Sequence, residues 1–271
     1  MTTNTNKAPN TRCYMGLPVY EEKPSQPAEE EDPITSEKKR LYQAIKHIKH
    51  RVGVHSGKGG VGKTFIASQL ALLLASEGYK TGLLDADVDC PNAASAFNLE
   101  ADMSITESGK LIPVTYQQVK VSSTAFLTDE ESIIIRGPIK HRLLTDFIER
   151  VEWGDLDALI FDFPPGTSDV PLSAMQVANL TGIILVTTPH KESLKDVKRA
   201  AHMARRVGTK ILGLVENMSG EIFGEGRGEQ LAQELEIPFL TSIPLSKKTR
   251  QQAEQGKLTI QEHKEAFLNL F

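Results

Sequence analysis

Residues 56–64 read Ser56-Gly-Lys-Gly-Gly-Val-Gly-Lys-Thr64, and few folds accept such a stretch. A short apolar run, Val52-Gly-Val54, stands before it, and apolar residues at helical spacing follow from Lys63. A strand that enters a glycine turn and leaves as a helix is the opening unit of a parallel sheet, because the helix must cross back to reach the next strand. The pattern G-x-x-x-x-G-K-[ST] fits residues 57–64. Gly57, Gly59, Gly60 and Gly62, with Val61 among them, let backbone N–H groups turn toward an anion without a Cβ in the way. The N-terminus of the following helix adds about half a positive charge at the same point. Lys63 is then placed to meet the β- and γ-phosphates of a nucleotide, and the Thr64 hydroxyl to hold Mg²⁺.

Lys58 lies inside the turn, where a phosphate loop tolerates many residue types. It reads either as a second ammonium beside a triphosphate, delivered to another subunit's nucleotide, or as a solvated lysine.

Beyond the loop, Ile66, Leu70, Leu73 and Leu74 predict an amphipathic helix, with Ala67, Ala71 and Ala75 permitting close packing and Gly78 ending it. Residues 80–84 read as the next strand and deliver Asp85, Asp87 and Asp89 to its end. An open α/β sheet places its chemistry at that carboxyl edge. Asp85 is expected to help hold the water shell of Mg²⁺, and Asp87 to orient or deprotonate the attacking water; Asp89 looks dispensable.

A second apolar run, residues 156–161, ends in Asp162, the position from which an aspartate reaches Mg²⁺ through water. Gly166 would let the backbone approach the γ-phosphate and sense its loss. Residues 210–215 form a further strand that ends beside Asn217, whose amide suits either a nucleobase or a turn. Strands are also expected at 182–188 and 239–243, helices at 193–206 and 229–235, and short strands within 103–127. A run at 132–135 precedes Arg136 and a helix carrying Leu143, Leu144, Phe147 and Ile148. Strands alternating with helices predict an α/β fold with a single doubly wound, mostly parallel sheet and helices on both faces.

At 271 residues the chain has room for a sizeable core, and its net charge of −4 gives no general reason to expect nucleic acid. No apolar run is long enough to span a bilayer, and residues 1–10 are polar. The two cysteines, Cys13 and Cys90, form no C-x-x-C, which argues against a disulfide framework and makes the cytoplasm the default location. Residues 1–35 lack periodicity and are expected to be a disordered arm ahead of a domain spanning 36–271. Ser36 is expected to cap a helix running to residue 49 that presents Leu41, Ile45 and Ile48. The apolar tail of Phe267, Leu268, Leu270 and Phe271 either docks on the domain or touches a membrane; a polar face without strong basicity favours docking.

These stretches in order resemble the Mrp/ApbC family of iron–sulfur cluster carrier ATPases, within the deviant-Walker class that includes MinD and ParA. The likeness covers residues 50–257 and rests on the loop, on Asp85-Ala-Asp-Val-Asp89, Arg136-Gly-Pro138, Val151-Glu-Trp-Gly-Asp-Leu-Asp157, Asp162-Phe-Pro-Pro-Gly-Thr167, Glu216-Asn-Met-Ser219 and Ile222-Phe-Gly-Glu-Gly226. It implies a MinD-like P-loop ATPase fold and slow Mg²⁺-dependent hydrolysis of ATP at the interface of a homodimer. Lys58 would reach the partner's nucleotide, Asp87 would position water, and Asn217 would contact adenine. A shared 4Fe–4S cluster and an iron–sulfur apoprotein client belong to the same picture; the net charge and the weakly basic tail argue, separately, against nucleic acid and stable membrane association. The resemblance breaks after Ser219. The family's C-P-x-C segment, which donates two thiolates per subunit, is missing, and Gly220-Glu-Ile222 runs directly into Phe223. Ligation of a cluster normally takes four, mostly thiolate, ligands, which two copies of Cys13 and Cys90 supply only if the arm folds over the Asp87 segment. Smaller departures are Ile135, where the family favours Trp, and Ser168 in place of glycine. Two other readings share the same engine: a MinD/ParA-like positioning ATPase, and a nucleotide-gated adaptor whose N-terminal arm docks a protein client.

Overall fold

The apolar runs of the sequence become the central strands of one sheet. In the computed structural model, residues 13–14, 17–18, 33–126, 137–167 and 169–271 are described. They fall into two units, Met1–Ser36 and Glu37–Phe271. In the first, β1 (Cys13–Tyr14) pairs antiparallel with β2 (Leu17–Pro18). Most of the arm expected at 1–35, the run at 132–135, Arg136 and Ser168 lie outside the described residues.

Helix α1 (Pro33–Ile45) starts and stops earlier than the Ser36 cap predicts. Proline suits the first helical position, since its ring presets φ and its missing N–H would have no partner there. The amide of Ile48 then bonds the Ile45 carbonyl and turns the chain into the sheet, with Leu41, Ile45 and Ile48 buried as expected. There follow β3 (His50–His55), α2 (Lys63–Ser76), β4 (Thr81–Asp85), α3 (Ala93–Ala96), β5 (Ser104–Ile105) and β6 (Leu111–Ile112). Next come β7 (Val114–Tyr116), β8 (Val119–Ser122), α4 (Gly137–Arg150), β9 (Ala158–Asp162), α5 (Asp169–Val177) and β10 (Gly182–Thr187). The chain closes with α6 (Lys191–Arg206), β11 (Ile211–Ser219), α7 (Arg227–Glu234), β12 (Phe239–Pro244), α8 (Lys247–Ala253) and α9 (Lys264–Leu268).

Eight strands make the main sheet in the order β12-β11-β10-β3-β9-β4-β8-β7. Every neighbouring pair is parallel except β7 and β8, whose antiparallel hairpin closes one edge. Strands β4, β9 and β10 are buried at every residue, which is why they read as unbroken apolar runs instead of alternating ones. The doubly wound fold is the predicted one. Placing β3 between β9 and β10 brings the ends of β3, β4, β9 and β11 to the same carboxyl edge.

Helix α2 is not amphipathic as its leucine spacing suggested. It is buried almost all round from Ile66 to Ala75, because the sheet lies on one side and α3 and α9 on another. Burial of each of Leu70, Leu73 and Leu74 contributes about 1.5–3 kcal/mol. Its one buried side-chain amide, Gln69, is satisfied by the C-terminal segment: Nε2 donates to the Lys257 carbonyl at 2.9 Å, while Oε1 accepts from the Thr259 amide at 2.6 Å. The tail docks on the domain. Phe267 is buried, and the Phe271 ring lies 5.0 Å from that of His50 and 6.3 Å from that of Tyr79. Among the described residues no helix is long and apolar enough to cross a membrane.

Candidate functional site

The phosphate loop is held by short bonds that its own residues cannot all supply. Ser56 Oγ donates to the Lys58 carbonyl at 2.6 Å, and the Ser56 carbonyl accepts the Gly166 amide at 2.9 Å. Gly57 is required by packing: a Cβ there would collide with the Asp196 carbonyl of α6. Gly62 is required twice over. Its φ of +87° is left-handed, and a Cβ would run into Asn217 Nδ2. That same Nδ2 donates to the Val61 carbonyl at 2.9 Å, so the strand β11 and the loop are tied at one point. Two irregularities in the β11–β12 register, the second containing Met218 at φ 60°, aim Asn217 at the loop.

Lys63 is buried at the start of α2, whereas Lys58 is exposed. Glu192, at the start of α6, has its carboxyl held below the usual range by its own backbone N–H, by His190 and also by the Lys58 charge. Thr64 Oγ1 donates to Asp162 Oδ2 at 2.5 Å, while Asp162 Oδ1 is buried without any hydrogen-bond partner. Burial, then the neighbouring Asp85 charge, pushes the Asp162 carboxyl up to about 8. An orphaned carboxylate oxygen beside a threonine hydroxyl is the donor set that a hard divalent cation takes, with the charge that burial penalises neutralised by the metal. The residues therefore fit Mg²⁺.

Asp85 is spent on its own loop. Its Oδ2 accepts the Ala93 amide and the Ser123 hydroxyl, each at 3.0 Å, and its Oδ1 accepts the Asp87 amide at 3.1 Å. Burial raises its carboxyl to about 6 against the pull of these donors. It holds the Asp87 segment in place from behind. Asp87 is half-buried, and its carboxyl is raised by desolvation while the Lys63 ammonium pulls it down. The Cys90 amide reaches Asp87 Oδ1 at 3.4 Å, and the Cys90 thiol is free and exposed.

Beside the loop opens a cleft of about 370 Å³. Gly62, Phe65, Asn217, Pro244, Leu245 and Arg250 are among its walls, which are mostly apolar surface. Thr64 lines it too, so the cleft adjoins the phosphate loop.

The segment after Asn217 is built differently. The Gly220 amide bonds the Gly224 carbonyl at 3.0 Å, and the Gly224 amide returns to the Gly220 carbonyl at 2.7 Å. This tight turn exposes Ile222 by 78% and Phe223 by 39% and carries no thiol. Glu216, fully buried, anchors it by accepting the Gly226 amide at 2.9 Å, the Gly228 amide at 2.5 Å and the Ser242 hydroxyl at 3.1 Å. Among the described residues no three His, Cys, Asp or Glu side chains converge as a metal-ligand set. Cys90 stands in the Asp87 segment, away from the turn in sequence, and the Cys13 side chain lies outside what is described.

The structure thus gathers Lys63, Thr64, Asp87, Asp162, Gly166 and Asn217 around one edge. Sequence reasoning missed Ser123, which sits at the end of β8 with no motif around it, and Glu216, whose burial only the β11–β12 pairing shows.

Comparison with known proteins gives consistent results. A family model described as ParA, NUBPL iron-transfer P-loop NTPase, matches residues 47–270. An iron–sulfur cluster carrier protein of Saccharolobus solfataricus is 38% identical over 250 residues, covering 85% of this chain and 84% of its own. A cytosolic Fe–S cluster assembly factor NUBP2 homolog of Monosiga brevicollis is 41% identical over 234 residues, covering 80% of this chain and 82% of its own. A solved nucleotide-binding protein of Archaeoglobus fulgidus, in complex with ADP, superimposes with a TM-score of 0.72 at 34% identity, over 82% of this chain and 92% of that one.

Proposed function

This chain belongs to the ParA family of NUBPL-type iron-transfer P-loop NTPases, and on that premise we propose that it is a Mg²⁺-dependent, homodimeric ATPase serving iron–sulfur cluster assembly. The observation that carries this reading is the buried meeting of Lys63, Thr64 and the unpartnered Asp162 oxygen beside an apolar cleft. Lys63 binds the β- and γ-phosphates, and the amides of residues 57–63 surround them. Thr64 and, through water, Asp162 would hold Mg²⁺, which when bound would supply charge neutralisation for phosphoryl transfer. Asp85 shapes the Asp87 segment through the Asp87 and Ala93 amides. Asp87 orients the attacking water, and Gly166 changes partner from Ser56 to the terminal phosphate. The Asn217 amide faces the base. Lys58, exposed at the tip of the loop, is free to reach the nucleotide of a second copy.

Cluster handling in this reading does not run through thiolates after Ser219, because the sequence carries no cysteine there. The ATPase acts on a cluster held by a partner protein, and its working place is the cytoplasm. A second reading, a nucleotide-gated adaptor for a protein client, is favoured by one observation: Ile222 and Phe223 stand exposed in the turn that follows β11.

Light scattering tests the dimer. The Asp87→Ala protein should hydrolyse slowly and accumulate as a dimer at saturating Mg-ATP, and Lys58→Ala should return it to a monomer. A monomer in both would contradict the dimer while leaving the nucleotide site standing.

A further inference from the structure

His55 closes β3 one residue before the phosphate loop, and the chemistry above makes no use of it. Its side chain is fully buried, and neither ring nitrogen has a hydrogen-bond partner. Burial, then the Lys63 charge, lowers its pKa to about 3. The ring at neutral pH is therefore an uncharged imidazole with one N–H donor and one acceptor nitrogen. A buried donor left unpaired destabilises the state that leaves it so.

The surroundings of the ring belong to the segment that follows β9. The Phe163 ring stands edge-on to it, with centroids 6.5 Å apart and planes at 78°. Backbone carbonyls of Gly166 and Pro164 lie close enough to favour a proton on the ring, yet neither completes a hydrogen bond. The next residue, Ser56, holds the Gly166 amide at 2.9 Å through its carbonyl. One backbone step thus separates a ring that lacks a partner from the bond that must break when Gly166 turns to a phosphate.

We infer that His55 is a positioning residue for residues 163–167. When the Gly166 amide leaves Ser56 for the terminal phosphate, the peptide rotates and the His55 N–H donates to the Pro164 or Gly166 carbonyl. The ring is satisfied in the triphosphate form and unsatisfied in the diphosphate and empty forms, so it biases the segment toward ATP. This rests on the proposed nucleotide site, and adds to it a side chain that touches neither phosphate nor metal.

The test is ring-nitrogen NMR on the full-length native chain with ¹⁵N-labelled histidine, the His55 signals being assigned with His55→Gln. A non-hydrolysable ATP analogue with Mg²⁺ should shift the His55 N–H signal to that of a hydrogen-bonded donor, and ADP should leave it unmoved. In the variants, His55→Leu should lose about tenfold in analogue affinity relative to ADP, the loss of one hydrogen bond made in one state only, and His55→Gln should regain part of it. Native His55 signals that stay unchanged while the analogue binds would overturn the inference, whether or not His55→Leu folds. An unaltered analogue-to-ADP ratio in a folded His55→Leu would overturn it too. Failure of the native protein to bind either nucleotide would instead contradict the site itself, and this role with it.

Discussion

The phosphate loop and the turn after Ser219 lie at the same carboxyl edge of the sheet, and Asn217 joins them, yet they are built on opposite principles. The first, apart from the exposed Lys58 and the half-buried Asp87, shields its charge: Lys63, Asp85 and Asp162 are buried, and Asp85 and Asp162 accept hydrogen bonds from named partners. The second is a five-residue turn closed by its own backbone, with its apolar side chains outside, anchored from β11 by the buried Glu216. Buried charge is costly to keep unless a ligand or partner offsets it, so a loop of the first kind implies a bound anion and cation. A turn of the second kind implies neither. The difference teaches that the nucleotide engine and the cluster-ligating segment are separable in this fold: one is intact, the other absent.

The largest effect should come from the side chain on which the first region depends. Lys63→Ala removes the buried cation facing the phosphates, worth about 3–5 kcal/mol, and should weaken Mg-ATP binding about a thousandfold by calorimetric titration. Affinity within about threefold of the native protein would place the phosphates elsewhere and dissolve the contrast with the turn.

A smaller effect tests the joint between the two regions. Gly62→Ala puts a side chain at φ +87° and against Asn217 Nδ2, and should cost about 1–3 kcal/mol of stability by chemical denaturation. It should also loosen the Asn217–Val61 bond and widen the cleft. If instead stability is unchanged, the two regions are not mechanically joined there.

The smallest effect is electrostatic and belongs to the first region alone. Without metal, native Asp162 keeps its proton up to about 8, whereas the unfolded carboxyl titrates near about 4. Across that window the native chain binds more protons than the unfolded one, so stability falls as pH rises. Melting of the metal-free protein should therefore shift down between about pH 5.5 and pH 8, and Asp162→Asn should flatten that slope. Mg²⁺ with nucleotide should reverse it, since the cation binds the deprotonated form. A slope that Asp162→Asn leaves untouched would assign the burial cost elsewhere.

Much of this was legible in the residues. The glycine spacing of 57–62, with Lys63 and Thr64 behind it, defines a strand, a loop and a helix in eight letters, because few backbones can follow that path. Asp162 was visible as the polar end of an apolar run, and Asn217 as an amide at a strand end. What escaped depends on neighbours distant in the chain. Ser123 meets Asp85 only because β8 lies next to β4. Helix α2 reads as one-sided because the sequence does not reveal that the tail covers its other face and pairs with Gln69. His55 looks like any strand residue until the segment 163–166 closes over it. The early start of α1 and the antiparallel β7 edge are local choices made by a proline and by a hairpin.

The most direct test of the central claim sets both regions against one sample. The native protein, reconstituted anaerobically with iron and sulfide, desalted, and then titrated with Mg-ATP, should bind nucleotide tightly while retaining no stoichiometric iron and no cluster absorption in the visible. One four-iron cluster per dimer, lost in Cys90→Ser or Cys13→Ser, would contradict the account and show that thiolates elsewhere in the chain replace those missing after Ser219.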